Sequence, residues 1–193
     1  IELLMLSVPL TALAVAGLCN ALNMIDGVDG LSASMAGLPL LVFYILGQLE
    51  GGGHTPAYLG LILPPLAIFL CPNLGPNTRW LPKIFLGDSG SVTLGLIVAV
   101  VLIAFTQGDN ALVKPVTALW MITVPLMDML ATMLRRAKHG HKMMEADRSH
   151  LHHTLMDMGC SSRQTLILLV DYATACALLG LALEGATEYL SLL

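Results

Sequence analysis

Charge is what this sequence has least of. Acidic and basic residues together make up 11% of its 193 positions, under half of the roughly one-quarter usual in a soluble domain, which excludes an ordinary water-soluble globule. Cysteine is sparse and unpatterned. Cys19, Cys71, Cys160 and Cys176 follow no metal-ligand spacing, and three of them lie in or beside apolar runs, so they read as small core residues rather than a zinc site or a disulfide framework. A signal-peptide pattern, internal repeats and low-complexity tracts are also missing, which removes solenoids and flexible tethers from consideration.

Long apolar runs fill the space instead. With 56% hydrophobic residues and a mean hydropathy of +0.79, the chain reads as an all-α, polytopic integral membrane protein. Six windows are apolar and near the ~20 residues that cross a bilayer: Leu3 to Leu22, Leu31 to Leu49, Thr55 to Pro72, Ser89 to Gly108, Pro115 to Leu134 and Gln164 to Leu183. Threading six spans puts Arg79, Lys83, Arg135, Arg136, Lys138, Lys142, Arg148 and Arg163 on one side and only Lys114 on the other. Short basic loops stay in the cytoplasm, so the Asn20–Leu31 turn, the Asn73–Gly87 loop and the Arg135–Arg163 loop are expected there. The net charge of −4 conceals this locally basic face, which suits anionic head groups or phosphates. No nucleic-acid partner is expected; the bilayer is.

Three polar clusters fall on that face. The first, Asn20-Ala21-Leu22-Asn23-Met24-Ile25-Asp26-Gly27-Val28-Asp29-Gly30-Leu31, ends an uncharged helix with two amides, two carboxylates and two glycines, groups too costly at a membrane boundary to be filler. Asn20, Asn23 and Asp26 recur every three residues and so share one helix face. Helix-end capping by Asn, Asp and Gly is the plainer alternative. The second, Phe85-Leu86-Gly87-Asp88-Ser89-Gly90-Ser91, predicts a helix N-terminus with Asp88 or Ser89 near the N-cap, a place for a phosphate or for a carboxylate that holds a hard cation; capping alone is the alternative. The third, Asp147-Arg148-Ser149-His150-Leu151-His152-His153, admits a transition-metal site, pyrophosphate binding through Arg148 and the imidazoles, or a solvated loop. Asp128 and Asp171 lie inside spans and are expected to face a polar interior, and Pro125 permits a kink beside Asp128.

Together, Asn20–Leu31, Phe85–Ser91 and His150–His153 closely resemble the polyprenyl-phosphate N-acetylhexosamine-1-phosphate transferases, integral-membrane enzymes that start envelope glycans such as O-antigen lipopolysaccharide. Pro115-Val-Thr-Ala-Leu-Trp120, Pro125-Leu-Met-Asp128 and the Asp147–His153 run look most like the branch that moves GlcNAc-1-phosphate from UDP-GlcNAc to undecaprenyl phosphate and releases UMP. The resemblance implies Mg²⁺, with Mn²⁺ as a substitute, held by Asn23 and Asp88. It implies catalytic roles for Asp26, Asp29, Asp88, His150, His152 and His153, and substrate contacts for Asn20, Asn73, Phe85, Arg136 and Arg148. It also implies a multi-pass protein of the bacterial inner membrane with a cytoplasmic site, and it admits a homodimer.

One departure matters. The family carries an adjacent aspartate pair on an earlier loop, and the sequence has no Asp-Asp. Residues 1–193 therefore read as one transmembrane catalytic unit lacking N-terminal helices and that motif, and C-terminal helices as well, and this piece alone is expected to be inactive. Three rival readings stand beside it: a transferase for another UDP-sugar, an ion transporter or channel built on the intramembrane carboxylates, and an inactive remnant.

Overall fold

A computed structural model describes residues 3–50, 57–108, 111–139 and 150–191. His54, Asp109, Lys142, Asp147 and Arg148 lie outside them. The described residues form helices α1 (Leu3–Met24), α2 (Leu31–Leu49), α3 (Ala57–Leu74), α4 (Gly87–Thr106), α5 (Pro115–Met121), α6 (Thr123–His139), α7 (Leu151–Asp157) and α8 (Ser162–Ser191), with no strand among them. The all-α expectation holds.

A helix occupies each of the six expected windows, and among the described residues four are long and apolar enough by themselves to cross a membrane, or five if the bent pair of α5 and α6 is one span: Leu6–Met24, Leu31–Leu49, Gly87–Thr106 and Ser162–Gly185 are the four. The apolar part of α3, Tyr58–Leu74, is shorter, and the fifth window is broken into α5 and α6, which meet at 79°. Pro125 accounts for the break, since it offers no N–H to the preceding turn and its ring crowds the carbonyl there. The Thr123 hydroxyl binds the Leu119 and Trp120 carbonyls that the interrupted helix leaves over (both 3.0 Å).

α2 sits at the centre, packed on α3, α4 and α8, while α1 lies along α4 and also touches α6. Phe43 and Phe105 stack across the α2–α4 seam at 5.4 Å. Leu41, Ile45, Leu61 and Leu178 point outward, as side chains facing acyl chains should.

Two glycines set the site's frame. Gly95 lets α4 cross α1 so closely that a Cβ there would stand 2.6 Å from the Cys19 Cα. The helices run antiparallel, so one turn beyond this crossing brings Asn23 opposite Ser91. Gly30 holds the left-handed conformation (φ 72°) from which α2 starts, a geometry that favours glycine.

Candidate active site at one end of the bundle

The crossing of α1 and α4 puts the first two sequence clusters in direct contact. Asn23 Nδ2 donates to Ser91 Oγ at 3.0 Å and to Asp88 Oδ1 at 3.2 Å. α4 begins at Gly87, with Leu86 as its N-cap and no side-chain capping bond. Asp88 thus lies near the N-cap, in the first turn, as expected, and its carboxylate accepts from Asn23 rather than capping its own helix end.

Asp26, Asp29, Phe69, Asn73, Phe85 and Asp88 line a cavity of about 240 Å³. Phe85, at the cavity's edge, is 74% exposed. Asn73 is buried; its Nδ2 donates to the Ile84 carbonyl at 2.8 Å, which pins the segment before Phe85 to α3, and its Oδ1 is buried without a partner. Lys83 Nζ forms an ion pair with Asp29. Burial, then the negative charges of Asp88 and Asp29, push the Asp26 carboxyl up to about 6. Like charges gathered this way favour the protonated form of Asp26.

A second, larger cavity of about 1030 Å³ runs between α1 and α6. Leu10, Leu13, Leu126, Met129, Leu130 and Met133 form its apolar length, and Asn20, Asn23, Asp26, Arg136, His150, His152 and His153 its polar end. Asp26 and Gly27 line both cavities and form the wall between them. His152 presses on that wall: a Cβ on Gly27 would lie 2.3 Å from its Nε2. The His152 ring is 1% exposed with neither nitrogen hydrogen-bonded. Burial, then the neighbouring His153 and His150, lower its pKa to about 4, so it is neutral at pH 7.

The His150 ring stacks on His152 at 5.6 Å and 7°, and the His153 ring lies tilted at 42° to His152 with 4.3 Å between centroids. Among the described residues no three His, Cys, Asp or Glu side chains converge on one point that could hold an ion; Asp147 and Arg148 of this run lie outside those residues. Asn23 and Asp88 fit a hard cation better. Their oxygens are of the kind Mg²⁺ takes alongside water and phosphate, provided the Asn23 amide makes a half-turn to present Oδ1 where Nδ2 now stands.

Every expected site residue that is described thus falls on these two cavities; Arg148 lies outside the described residues. Lys83, Ser91 and the contacts of Asp128 are additions. Lys83 was read only as part of the basic face, although its position two residues before Phe85 carried the signal. Asp171 is a correction: it is exposed, because it lies off the buried stripe of α8 formed by Leu169, Ala173, Cys176 and Ala177.

An all-α bundle with membrane-length helices and paired amide–carboxylate motifs beside an apolar groove defines a membrane protein with a site where its helices end. The sequence comparisons specify the class. Residues 1–106, more than half of the chain, match glycosyl transferase family 4, and the chain belongs to that family. It is 37% identical over 178 residues to the undecaprenyl-phosphate alpha-N-acetylglucosaminyl 1-phosphate transferase of Escherichia coli K12, covering 91% of this chain and 47% of that protein. The proteins of the same name from Yersinia pestis (37%; 92% and 48% covered) and Salmonella typhi (39%; 91% and 47%) are similar to it too. The chain spans about half the length of the curated relatives it matches.

Proposed function

We propose that the full-length protein transfers GlcNAc-1-phosphate from UDP-GlcNAc to undecaprenyl phosphate and releases UMP, with its site at the cytoplasmic face of the bacterial inner membrane. The observation that carries this reading is the pair of unlike cavities sharing the Asp26–Gly27 wall. The smaller suits a nucleotide: the exposed ring of Phe85 for a base, the orphan Asn73 Oδ1 for a ring N–H, and Lys83 beside Asp29 for phosphate charge. The larger suits a polyprenyl phosphate, its apolar length receiving the tail and Arg136 with the histidines receiving the head.

Mg²⁺, or Mn²⁺ in its place, would be held by Asn23 and Asp88 and would neutralise phosphate charge when bound. The chain's own groups do the rest. Asp26 lines both cavities and is placed to take a proton from the acceptor phosphate. An acceptor oxygen then bonds to the sugar-bearing phosphorus as the bond to UMP breaks. Neutral His152 offers an N–H without adding charge, and its burial between Gly27 and its neighbours excludes water from the wall.

Purified full-length protein in detergent or vesicles tests this with a panel of UDP-sugars and undecaprenyl phosphate. UMP release with UDP-GlcNAc that stops with EDTA and returns with Mg²⁺ is the expected result. UMP release with another UDP-sugar alone would reassign the donor, and none with any sugar would overturn the proposal.

A further inference from the structure

We propose that Asp128 is a positioning residue: from inside α6 its carboxylate fixes where α7 begins and which nitrogen of His150 faces the α1–α6 groove. Asp128 is 5% exposed, and a carboxylate in a membrane span is costly unless something specific pairs with it. Both of its oxygens are spent on one short segment. Oδ2 accepts from His150 Nδ1 at 2.9 Å, and Oδ1 accepts from the Leu151 N–H at 2.7 Å. The second bond caps the first turn of α7 from another helix, satisfying a backbone donor that a helix start leaves over. His150, the N-cap residue, has extended backbone and makes no side-chain capping bond of its own. The Thr132 hydroxyl stands 3.5 Å from the same Nδ1.

Two consequences follow. With a carboxylate as its partner, Nδ1 of His150 carries the proton, so Nε2 is the nitrogen left for the groove. A helix of seven residues does not hold itself in place, so its anchor at Asp128 also sets His152 two residues on. His152 is the ring stacked on His150 and pressed against Gly27. Asp128 therefore reaches the wall between the cavities without lining either.

The test is hydrogen–deuterium exchange on the full-length protein in micelles, comparing the unaltered chain with Asp128→Asn. Exchange across residues 150–157 is expected to rise about tenfold or more, with peptides from α1 and α4 unchanged. In the transferase assay kcat is expected to fall about 10- to 100-fold, while UMP binding stays the same because Asp128 touches nothing in the nucleotide cavity. His150→Gln breaks the same pair from the loop side and is held to the same exchange outcome should Asp128→Asn not accumulate. The double variant is expected to be no worse than the more severe single one. Unchanged exchange at 150–157, or losses that multiply in the double variant, would overturn the inference. Only the kinetic arm rests on the proposed transferase reading: absence of UMP release by the unaltered protein counts against that reading, while exchange still decides the role of Asp128.

Discussion

The two cavities either side of Gly27 are built in opposite ways. The smaller, about 240 Å³, is carboxylate-lined and held by specific polar contacts: Asn73 to the Ile84 carbonyl, Lys83 to Asp29, Asn23 to Asp88. The larger, about 1030 Å³, is an apolar trough with polar groups at one end. A rigid, charged ligand needs fixed donors and acceptors, whereas a long hydrocarbon needs area and tolerates variation in shape. Their single shared wall is where a group could pass from one ligand to the other.

The largest expected effect comes from removing the charge that faces that wall from α4. Asp88→Asn is expected to lower kcat of the full-length protein about 10²- to 10³-fold, measured as UMP release at saturating substrates; activity within twofold of the unaltered protein would detach Asp88 from the chemistry. Next comes the wall itself. Gly27→Ala places a methyl 2.3 Å from the His152 Nε2, so the His152 ring has to shift, and a displacement of this size is expected to cost about 10²-fold in kcat. His152→Ala makes room for that methyl, so combining the two changes restores part of any loss beyond that of His152→Ala alone.

The smallest effect is on stability against pH, and there the two sides of the wall pull in opposite directions. Asp26 binds its proton more tightly folded (about 6) than at its ordinary value of 3.8, so its contribution is present at low pH and is lost as pH rises from about 4 through 6. His152 is the reverse. Its folded value of about 4 lies below 6.5, so its contribution is full above 6.5 and is lost as pH falls toward 4. In metal-free micelles, His152→Asn is expected to reduce the loss of melting temperature between pH 7 and pH 5, and Asp26→Asn to deepen it. Each kcal/mol is worth about 2–4 °C. Identical pH profiles for the unaltered protein and both variants would contradict these environments.

Much of the smaller cavity was legible in the sequence, because Asp26 and Asp29 follow one helix and Asp88 opens another, and counting Lys and Arg put both on one side. What the pattern could not supply was register. Asn23 meets Ser91 only because Gly95 lets α4 cross α1 at Cys19, and a glycine among other small residues does not announce a crossing. Asp128 and His150 are 22 residues apart, separated by a loop, so the spans yielded only the cost of the aspartate and not its partner. The same cost argument applied to Asp171 pointed inward, where helix phase turns that residue outward. Six apolar windows were equally plain, but hydropathy does not register that Pro125 divides the fifth or that α3 is short.

The central claim is that donor and acceptor occupy different cavities across one wall, and paired kinetics on the full-length protein test it most directly. Phe85→Ala removes the exposed ring of the smaller cavity, and Leu130→Trp fills the apolar length of the larger one away from its polar end. The account predicts that Phe85→Ala raises KM for UDP-GlcNAc roughly tenfold with KM for undecaprenyl phosphate unchanged, and that Leu130→Trp does the converse. Both substitutions moving KM for the same substrate, or Leu130→Trp leaving the lipid KM untouched, would contradict it.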